Sequence, residues 1–253
     1  MFDIIDQGTG PSLVFLHGAG VDNILWAPQI SAFTRTHRVI AFNLPGHGTV
    51  PCVENVQQMA QYVRTALADR NIHHYTVVGL SLGGMVALEM AGQWPDEVTH
   101  LVMVEAVPTV TNSRVVRNIG HSLLAILKWI PPQAFSLIPT RLLGAETKTA
   151  GKYLKQALAR MSSQNNCIVM RAALAYDGRP HLANLSMPVL IMVGEKNKST
   201  HKGAAEMVNA IEHCRFQKIP AAGHIANLDA PEFFTRALSE QIGVGNNGDS
   251  APK

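Results

Sequence analysis

Residues 76–84 read TVVGLSLGG, a run of apolar and β-branched residues that ends at a serine, Ser81, with glycines close by. Gly79 and Gly83 stand two positions before and after this serine, where a side chain would collide with a sharply bent backbone. The pattern predicts a buried strand, a tight turn at Ser81 and a helix that begins immediately afterwards. In such a turn the hydroxyl projects above the sheet, beside the unpaired N–H groups of the helix N-terminus. Ser81 is therefore a candidate nucleophile, and the alternative is an ordinary glycine-rich turn.

Short apolar runs recur on both sides of this turn, with helix-like segments between them. This alternation predicts an α/β fold, in which a mostly parallel sheet is covered by helices on both faces. The predicted strands lie within residues 12–18, 37–48, 75–81, 101–106, 188–195 and 216–224. The predicted helices cover residues 55–70, 82–94 and 231–242.

Residues 109–184 break the alternation, because they show helical patterns punctuated by prolines and no convincing strand. We expect a helical cap, or lid, inserted into a core domain formed by residues 1–108 and 185–245. Some of its many apolar side chains should pack on the core and the rest should roof an apolar pocket. These side chains are Leu123, Leu124, Ile126, Leu127, Trp129, Ile130, Phe135, Leu137 and Ile138. The glycine-rich and asparagine-rich residues 246–253 are predicted to form a flexible tail.

The composition restricts the class of protein. A chain of 253 residues with 47% hydrophobic and 15% charged residues is typical of a compact globular protein. The net charge of +3 comes without any run of Lys or Arg, so neither a nucleic-acid site nor a polybasic membrane patch is predicted. Three widely spaced cysteines indicate free thiols in a reducing compartment. We expect a cytoplasmic protein without a secretory signal, membrane span, metal ion or cofactor, and the sequence carries no signal for an oligomeric state.

A serine hydroxyl is a poor nucleophile unless a base accepts its proton. His224 lies in the segment AAGHIANLDAPEFF (221–234), after the last predicted strand and before the closing helix. Because the carboxyl ends of parallel strands meet at one edge of a sheet, His224 and Ser81 can come together from distant parts of the chain. His224 is the predicted base.

Four motifs occur in an order that resembles the α/β-hydrolase family of serine hydrolases with a helical cap: LHGAG at 16–20, NLPGHG at 43–48, GLSLG at 79–83 and AAGHIANLDAPEFF at 221–234. The resemblance covers essentially the whole chain apart from the cap. It implies an eight-stranded sheet, Ser81 as the nucleophile and His224 as the base. It also implies an oxyanion hole formed by the N–H groups of Ala19 and Leu82. The glycines of HGAG agree with this, because they let the loop backbone approach the reacting carbon closely.

The acidic residue that is expected to support His224 departs from the family pattern. Relatives usually carry an acid in the loop after the penultimate strand, where this sequence has Asn197 within GEKNKST. A neutral Asn cannot stabilise the imidazolium, and in serine proteases the change from Asp to Asn lowers turnover by about 10⁴.

Three alternatives remain for this role. Glu105 ends the strand LVMVEA and could act as the acid, or it could be a strand-end carboxylate without a catalytic role. Glu195 could also serve, although it is expected to point away. Asn197 could orient the ring weakly, or it could be an altered residue of this chain.

These features predict a carboxylesterase-like serine hydrolase that cleaves an ester, lactone or thioester of a hydrophobic small molecule through an acyl-enzyme on Ser81. Cleavage of a carbon–carbon bond uses the same machinery, and the fold does not choose between them. The alternative from another class is a ligand-binding protein that has kept the fold with weakened catalysis, which the presence of Asn197 favours.

Overall fold

The structure is a computed structural model that describes residues 3–127, 129, 131, 134 and 137–244. Its centre is a sheet of seven strands: β1 (Ile4–Gln7), β2 (Ser12–Leu16), β3 (Arg38–Phe42), β4 (Tyr75–Leu80), β5 (Val98–Val104), β6 (Val189–Gly194) and β7 (Cys214–Ile219). The strands lie side by side in the order β1-β3-β2-β4-β5-β6-β7. Only β1 runs antiparallel to its neighbour, and the other pairs are parallel.

Helices cover both faces of this sheet, and others lie in the segment between β5 and β6. They are α1 (Ala27–Phe33), α2 (Val56–Ala68), α3 (Leu82–Gln93), α4 (Arg114–Leu127), α5 (Lys148–Arg160), α6 (Ser163–Ala175), α7 (His201–Ala210), α8 (Ala226–Asp229) and α9 (Pro231–Val244). Side chains alternate along each strand, so Val14 and Leu16 of β2 pack with α2, α3 and α7, while Leu13 and Phe15 pack with α1 and α9. None of the helices in the described part of the chain is long and apolar enough to cross a membrane.

All six strands expected from the apolar runs are present, which confirms the predicted α/β fold. The expected count of eight strands was wrong, since the described residues form seven. The difference lies at the N-terminal edge, where β1 pairs directly with β3. Residues 3–11 form one short strand because Gly8 and Gly10 adopt positive φ angles and Pro11 follows them.

The segment 109–184, for which a helical cap was expected, lies between β5 and β6. Its described residues contain α4, α5, α6 and a short 3-10 helix (Arg179–Asn184). Leu154 of α5 packs on the face of the sheet that carries α9, and Val169 of α6 packs on the opposite face. The insert is therefore anchored to both layers of the core.

The expected apolar roof over a pocket was wrong for four of the insert residues. Leu123, Ile126, Trp129 and Leu137 are exposed, because α4 packs on α6 through its opposite side, which includes Gly120 and Leu124. Ile130, Phe135 and the predicted tail at 246–253 lie outside the described residues.

Candidate active site

Ser81 occupies the tight turn that the sequence predicted between β4 and α3. Its backbone has φ 55° and ψ −115°, a conformation that side-chain-bearing residues rarely adopt. A Cβ atom on Gly79 would lie 2.1 Å from the carbonyl oxygen of Gly83, and one on Gly83 would lie 2.2 Å from that of Leu16. Both glycines are therefore required by the close approach of α3 to the strands. The turn presents Ser81 at the carboxyl edge of the sheet.

The loop that contains Ala19 lies against this serine. A Cβ atom on Gly18 would lie 3.3 Å from Cβ of Ser81, so the loop backbone packs directly beside the hydroxyl-bearing residue. Leu82 is the first residue of α3, and its N–H therefore has no partner within the helix. The two residues expected to supply an oxyanion hole thus belong to the segments on either side of the serine.

Two buried histidines hold this loop in place. The N–H of Gly20 donates to Nε2 of His47 over 3.1 Å, and the N–H of Leu44 donates to Nε2 of His17 over 3.0 Å. Burial lowers the pKa of His47 to about 4 and lowers the pKa of His17 well below its usual value, so both rings are neutral acceptors. Sequence reasoning missed this role of His47, although its motif NLPGHG was visible.

His224 lies in the loop after β7, and it lines the same cavity as Ser81 and Glu105, a space of about 720 Å³. The loop is fixed to the insert by Asp229, whose carboxylate accepts hydrogen bonds from the N–H groups of Gly223, Glu146 and Thr147. This anchor was also missed from the sequence, because the acceptor and its donors in the insert are about 80 residues apart in the chain.

Glu105 directly follows β5, the strand beside the one that leads to Ser81. Its carboxylate is buried and accepts hydrogen bonds from the N–H of Gly194, from Nδ2 of Asn197 at 2.5 Å and from the hydroxyl of Thr200 at 2.6 Å. Oε2 of Glu105 lies 3.7 Å from Nδ1 of His224. The arrangement provides a buried carboxylate, satisfied by three donors, behind the imidazole ring.

Asn197 lies between this carboxylate and the ring. Nδ2 of Asn197 is 3.0 Å from Nδ1 of His224, while its Oδ1 accepts a hydrogen bond from the hydroxyl of Ser199 over 2.7 Å. An amide N–H can donate to Nδ1 only when that nitrogen carries no proton, so this contact belongs to the tautomer protonated at Nε2. Both Glu105 and Asn197 are thus next to His224, and they differ in charge.

Glu195, the third candidate for the acid, points away as expected. It is exposed, and its Oε2 accepts a hydrogen bond from the N–H of Ala221 over 2.9 Å. Thr200, whose hydroxyl donates to Glu105, is a partner that the sequence analysis missed. The described residues contain no group of three or more His, Cys, Asp or Glu side chains that could hold a metal ion.

The site has a second, smaller chamber on the side of Ala19. It has a volume of about 160 Å³ and its lining is almost entirely apolar. Leu143, Leu154, Leu158 and Ile225 supply its walls, and His224 borders it as well as the large cavity. The large cavity is more polar, since Thr109, Asn112 and Lys202 are among its lining residues.

Comparison with known proteins identifies similar chains. Residues 13–237 match the family described as the alpha/beta hydrolase family. A pimeloyl-acyl-carrier-protein methyl ester esterase of Nitrosomonas europaea is 27% identical over 251 residues, which covers 90% of this chain and 94% of the relative.

Two solved structures share the fold. A thermophilic esterase from Thermogutta terrifontis has a TM-score of 0.87 at 21% identity, covering 96% of this chain and 93% of its own. The enol-lactonase from Burkholderia xenovorans LB400 has a TM-score of 0.77 at 19% identity, covering 95% of both chains. At these identities the similarity concerns the arrangement of the backbone.

Proposed function

The chain belongs to the alpha/beta hydrolase family, and from this premise we propose that it is a serine hydrolase that cleaves an ester, or a related lactone or thioester, of a hydrophobic small molecule. The observation that carries the proposal is the shared cavity of Ser81 and His224, with the buried carboxylate of Glu105 behind the imidazole. The relative from Nitrosomonas europaea is named as an esterase, which supports the class of bond.

The reaction requires the tautomer of His224 that carries its proton on Nδ1, because only then is Nε2 free to accept a proton. In the first half of the reaction, Oγ of Ser81 attacks the carbonyl carbon while its proton passes to Nε2 of His224. The carbonyl electron pair moves onto the oxygen, where the N–H groups of Ala19 and Leu82 stabilise the negative charge. The bond to the alcohol then breaks, and the alcohol takes the proton from His224. An acyl-enzyme on Ser81 remains.

In the second half, water replaces the alcohol. His224 accepts a proton from the water, and the resulting hydroxide attacks the acyl carbon. Collapse of this second tetrahedral species breaks the bond to Oγ of Ser81, which recovers its proton from His224. The products are a carboxylic acid and an alcohol, or one hydroxy acid from a lactone.

We assign the supporting carboxylate to Glu105. The imidazolium carries a proton on Nδ1, and only a charged acceptor offsets the positive charge of the ring. The separation of 3.7 Å between Nδ1 and Oε2 is long, but such contacts often tighten when substrate binds. Nδ2 of Asn197 must then move away from Nδ1 of His224, because two N–H donors cannot form a hydrogen bond with each other. Its amide keeps the carboxylate satisfied in the resting enzyme.

The small chamber sets the size of one arm of the substrate. An apolar cavity of about 150 Å³ holds a molecule the size of benzene, and this chamber is 160 Å³. One of the two groups that flank the ester bond is therefore a short apolar group of about six carbons or fewer, while the larger and more polar cavity receives the other.

The test is hydrolysis of p-nitrophenyl esters together with labelling by a fluorophosphonate probe. We expect turnover and stoichiometric labelling of the native chain, and loss of both in the Ser81→Ala variant. Ser239→Ala is the matched control, since Ser239 lies on α9 and donates its hydroxyl to the carbonyl of Thr235. A Ser81→Ala variant with unchanged hydrolysis and labelling would overturn the proposal.

The ligand-binding alternative predicts the opposite result in both assays. It requires a native chain that binds an apolar ester without turnover and leaves Ser81 unlabelled. The presence of a carboxylate behind His224 weighs against it, because Asn197 was the reason to consider it. A substrate that carries a vinylogous diketone in place of the ester tests separately for cleavage of a carbon–carbon bond.

The expected cytoplasmic location is part of this proposal. Cys52, Cys167 and Cys214 are free thiols, which suits a reducing compartment.

A further inference from the structure

Helix α4 turns its apolar face away from the protein. Helical periodicity places Val115, Val116, Ile119, Leu123 and Ile126 on one side of the helix, and each of these side chains is between 52 and 68% exposed. A helix on the surface of a globular protein normally buries such a face against the core. Here the opposite side packs, since Gly120 contacts Leu174 and the carbonyl of Leu124 accepts a bond from Cys167 of α6.

Exposed apolar side chains are concentrated in the insert as a whole. Of the twelve large hydrophobic side chains that are exposed in the described residues, ten lie within residues 109–184. Trp129 is 80% exposed, just beyond the end of α4. An exposed apolar area of this kind marks an interaction surface. We call the five residues of α4 together with Trp129 the apolar stripe.

Positive charge is concentrated in the same segment, although the sequence has no run of Lys or Arg and predicted no polybasic membrane patch. Residues 109–184 contain ten Lys and Arg but only Glu146 and Asp177 as acids, a formal charge of +8. The whole chain carries +3, so the remainder of the protein carries −5. Six of these cations form no ion pair within the described part of the chain: Arg114, Arg117, Lys148, Lys152, Lys155 and Arg171. An anionic surface therefore attracts the insert and repels the core.

We propose that the helical insert docks on an anionic lipid surface, with the apolar stripe immersed among the lipid headgroups. An exposed amphipathic helix with a tryptophan just beyond its end, in a segment of formal charge +8, has the chemistry of an interfacial helix. A fluid lipid surface covers an exposed helix face without a complementary cleft. A second copy of the chain fits less well, because two inserts of +8 repel one another.

Docking in this orientation brings the cavity of Ser81 to the lipid. Val110 and Met170 line that cavity and are themselves exposed, and Val110 lies five residues before the stripe begins. A hydrophobic substrate dissolved in the bilayer would then enter the cavity past Val110 and Met170, a consequence that rests on the proposed function. The docking itself does not depend on catalysis.

The test is co-sedimentation of the full chain with vesicles of phosphatidylcholine, with or without about 30% phosphatidylglycerol. We expect binding to the anionic vesicles, weak binding to pure phosphatidylcholine, and loss of binding between about 0.05 and about 0.5 M NaCl. The double variant Ile119→Ser, Leu123→Ser should lower the partition coefficient at least about tenfold. Phe216→Ser is the matched control, because Phe216 is an exposed apolar residue of β7 outside the insert.

The charge component is tested separately. Lys148→Gln with Lys152→Gln should weaken binding to anionic vesicles and reduce its salt dependence, whereas Arg35→Gln with Lys218→Gln should not weaken it. Equal binding by the two double variants, or no binding of the native chain to any vesicle, would overturn the proposal. The proposal would also be overturned if sedimentation velocity showed a dimer formed through the apolar stripe. The same holds if an acidic protein bound the apolar stripe in preference to lipid. Hydrolysis of a water-soluble p-nitrophenyl ester, followed in parallel, keeps a failure of docking distinct from a failure of the proposed activity.

Discussion

Nδ1 of His224 lies 3.7 Å from Oε2 of Glu105, across the end of the strand that neighbours the serine-bearing strand. The carboxylate is fully enclosed, while the ring is partly open to the cavity. Glu105 itself adopts a φ of 49°, which turns its side chain from the end of β5 towards the loop after β6. A rare backbone conformation thus accompanies the contact between the two residues.

The first prediction concerns the charge of Glu105. The Glu105→Gln variant keeps the shape of the side chain but cannot offset the imidazolium, so we expect kcat to fall on the order of 10³ to 10⁴ with little change in KM. Glu195→Gln, on the exposed side of the same region, should retain full activity. The measurement is ester hydrolysis under saturating substrate, with thermal unfolding to verify that both variants fold. Near-native turnover of Glu105→Gln would remove Glu105 from the mechanism.

The second prediction moves the carboxylate to the neighbouring position. In Asn197→Asp, two carboxylates would meet where the amide now lies 2.5 Å from Oε2 of Glu105, and they cannot both ionise comfortably. We therefore expect this single variant to lose activity at neutral pH. In the double variant Glu105→Gln, Asn197→Asp the new carboxylate stands alone beside Nδ1, and kcat should recover at least about tenfold over Glu105→Gln. A strong gain in the single variant Asn197→Asp would contradict the assignment.

The sequence predicted the fold through features that are local in the chain. The motif GLSLG specified its turn because the glycine contacts are steric and lie within a few residues of Ser81. The apolar runs likewise identified six strands. The first strand was missed because Ile4–Gln7 is short and half exposed, so it lacks the continuous apolar pattern of a buried strand.

The site was predictable only in part. Ser81 and His224 follow strands whose carboxyl ends must meet, so topology alone brought them together. Whether Glu105 or Asn197 supports His224 depends on the side-chain directions in two loops. The spacing of residues in the sequence does not encode these directions. The anchoring by Asp229 joins residues 146 and 147 to the loop of His224, and such long-range hydrogen bonds leave no periodic signal. The orientation of α4 was mispredicted for the same reason, since periodicity identifies an apolar face but not what covers it.

The third prediction tests the turn at Ser81. Gly79→Ala places a methyl group 2.1 Å from the carbonyl oxygen of Gly83, so the strand and α3 must separate and stability should fall by about 3 kcal/mol or more. Gly243→Ala is the control, because a Cβ there meets nothing within 4 Å and Ala favours the helix by about 1 kcal/mol. Urea unfolding compares the two variants. Equal stability of Gly79→Ala and the native chain would show that the turn tolerates a side chain.

The fourth prediction concerns His47, whose folded pKa is about 4 because the ring is buried. An unfolded histidine titrates near pH 6.5. Above that pH neither state is protonated, and below it the unfolded chain binds a proton that the folded chain refuses. Stability is therefore lost as the pH falls from about 6.5 to about 4, and His47 accounts for ~2.5 kcal/mol of that loss by about pH 4.5. His47→Gln keeps an acceptor for the N–H of Gly20 and should lose correspondingly less.

The measurement for His47 is urea unfolding at neutral pH and near pH 4.5. His213→Gln, which changes an exposed histidine, should show the native pH dependence. If His47→Gln loses as much stability on acidification as the native chain, His47 is not the group responsible.

The fifth prediction enlarges the small chamber. Leu158 forms part of its wall and approaches the loop that contains Ala19 so closely that a Cβ on Gly20 would lie 2.8 Å from its Cδ2 atom. Leu158→Ala should let the chamber accept a longer apolar arm. Each further buried CH₂ group contributes about 0.8 kcal/mol, so kcat/KM for the next longer substrates should rise about fourfold per carbon relative to the native enzyme.

Two series of esters identify which arm the chamber holds, because one varies the acyl chain at constant p-nitrophenol and the other varies the alcohol at constant acetate. Only one series should respond to Leu158→Ala. Leu174→Ala is the matched control, since Leu174 packs on Gly120 of α4 and does not line the chamber. An unchanged chain-length profile in both series, with hydrolysis intact, would show that substrate does not enter this space and that its apolar walls serve only to pack the insert on the core.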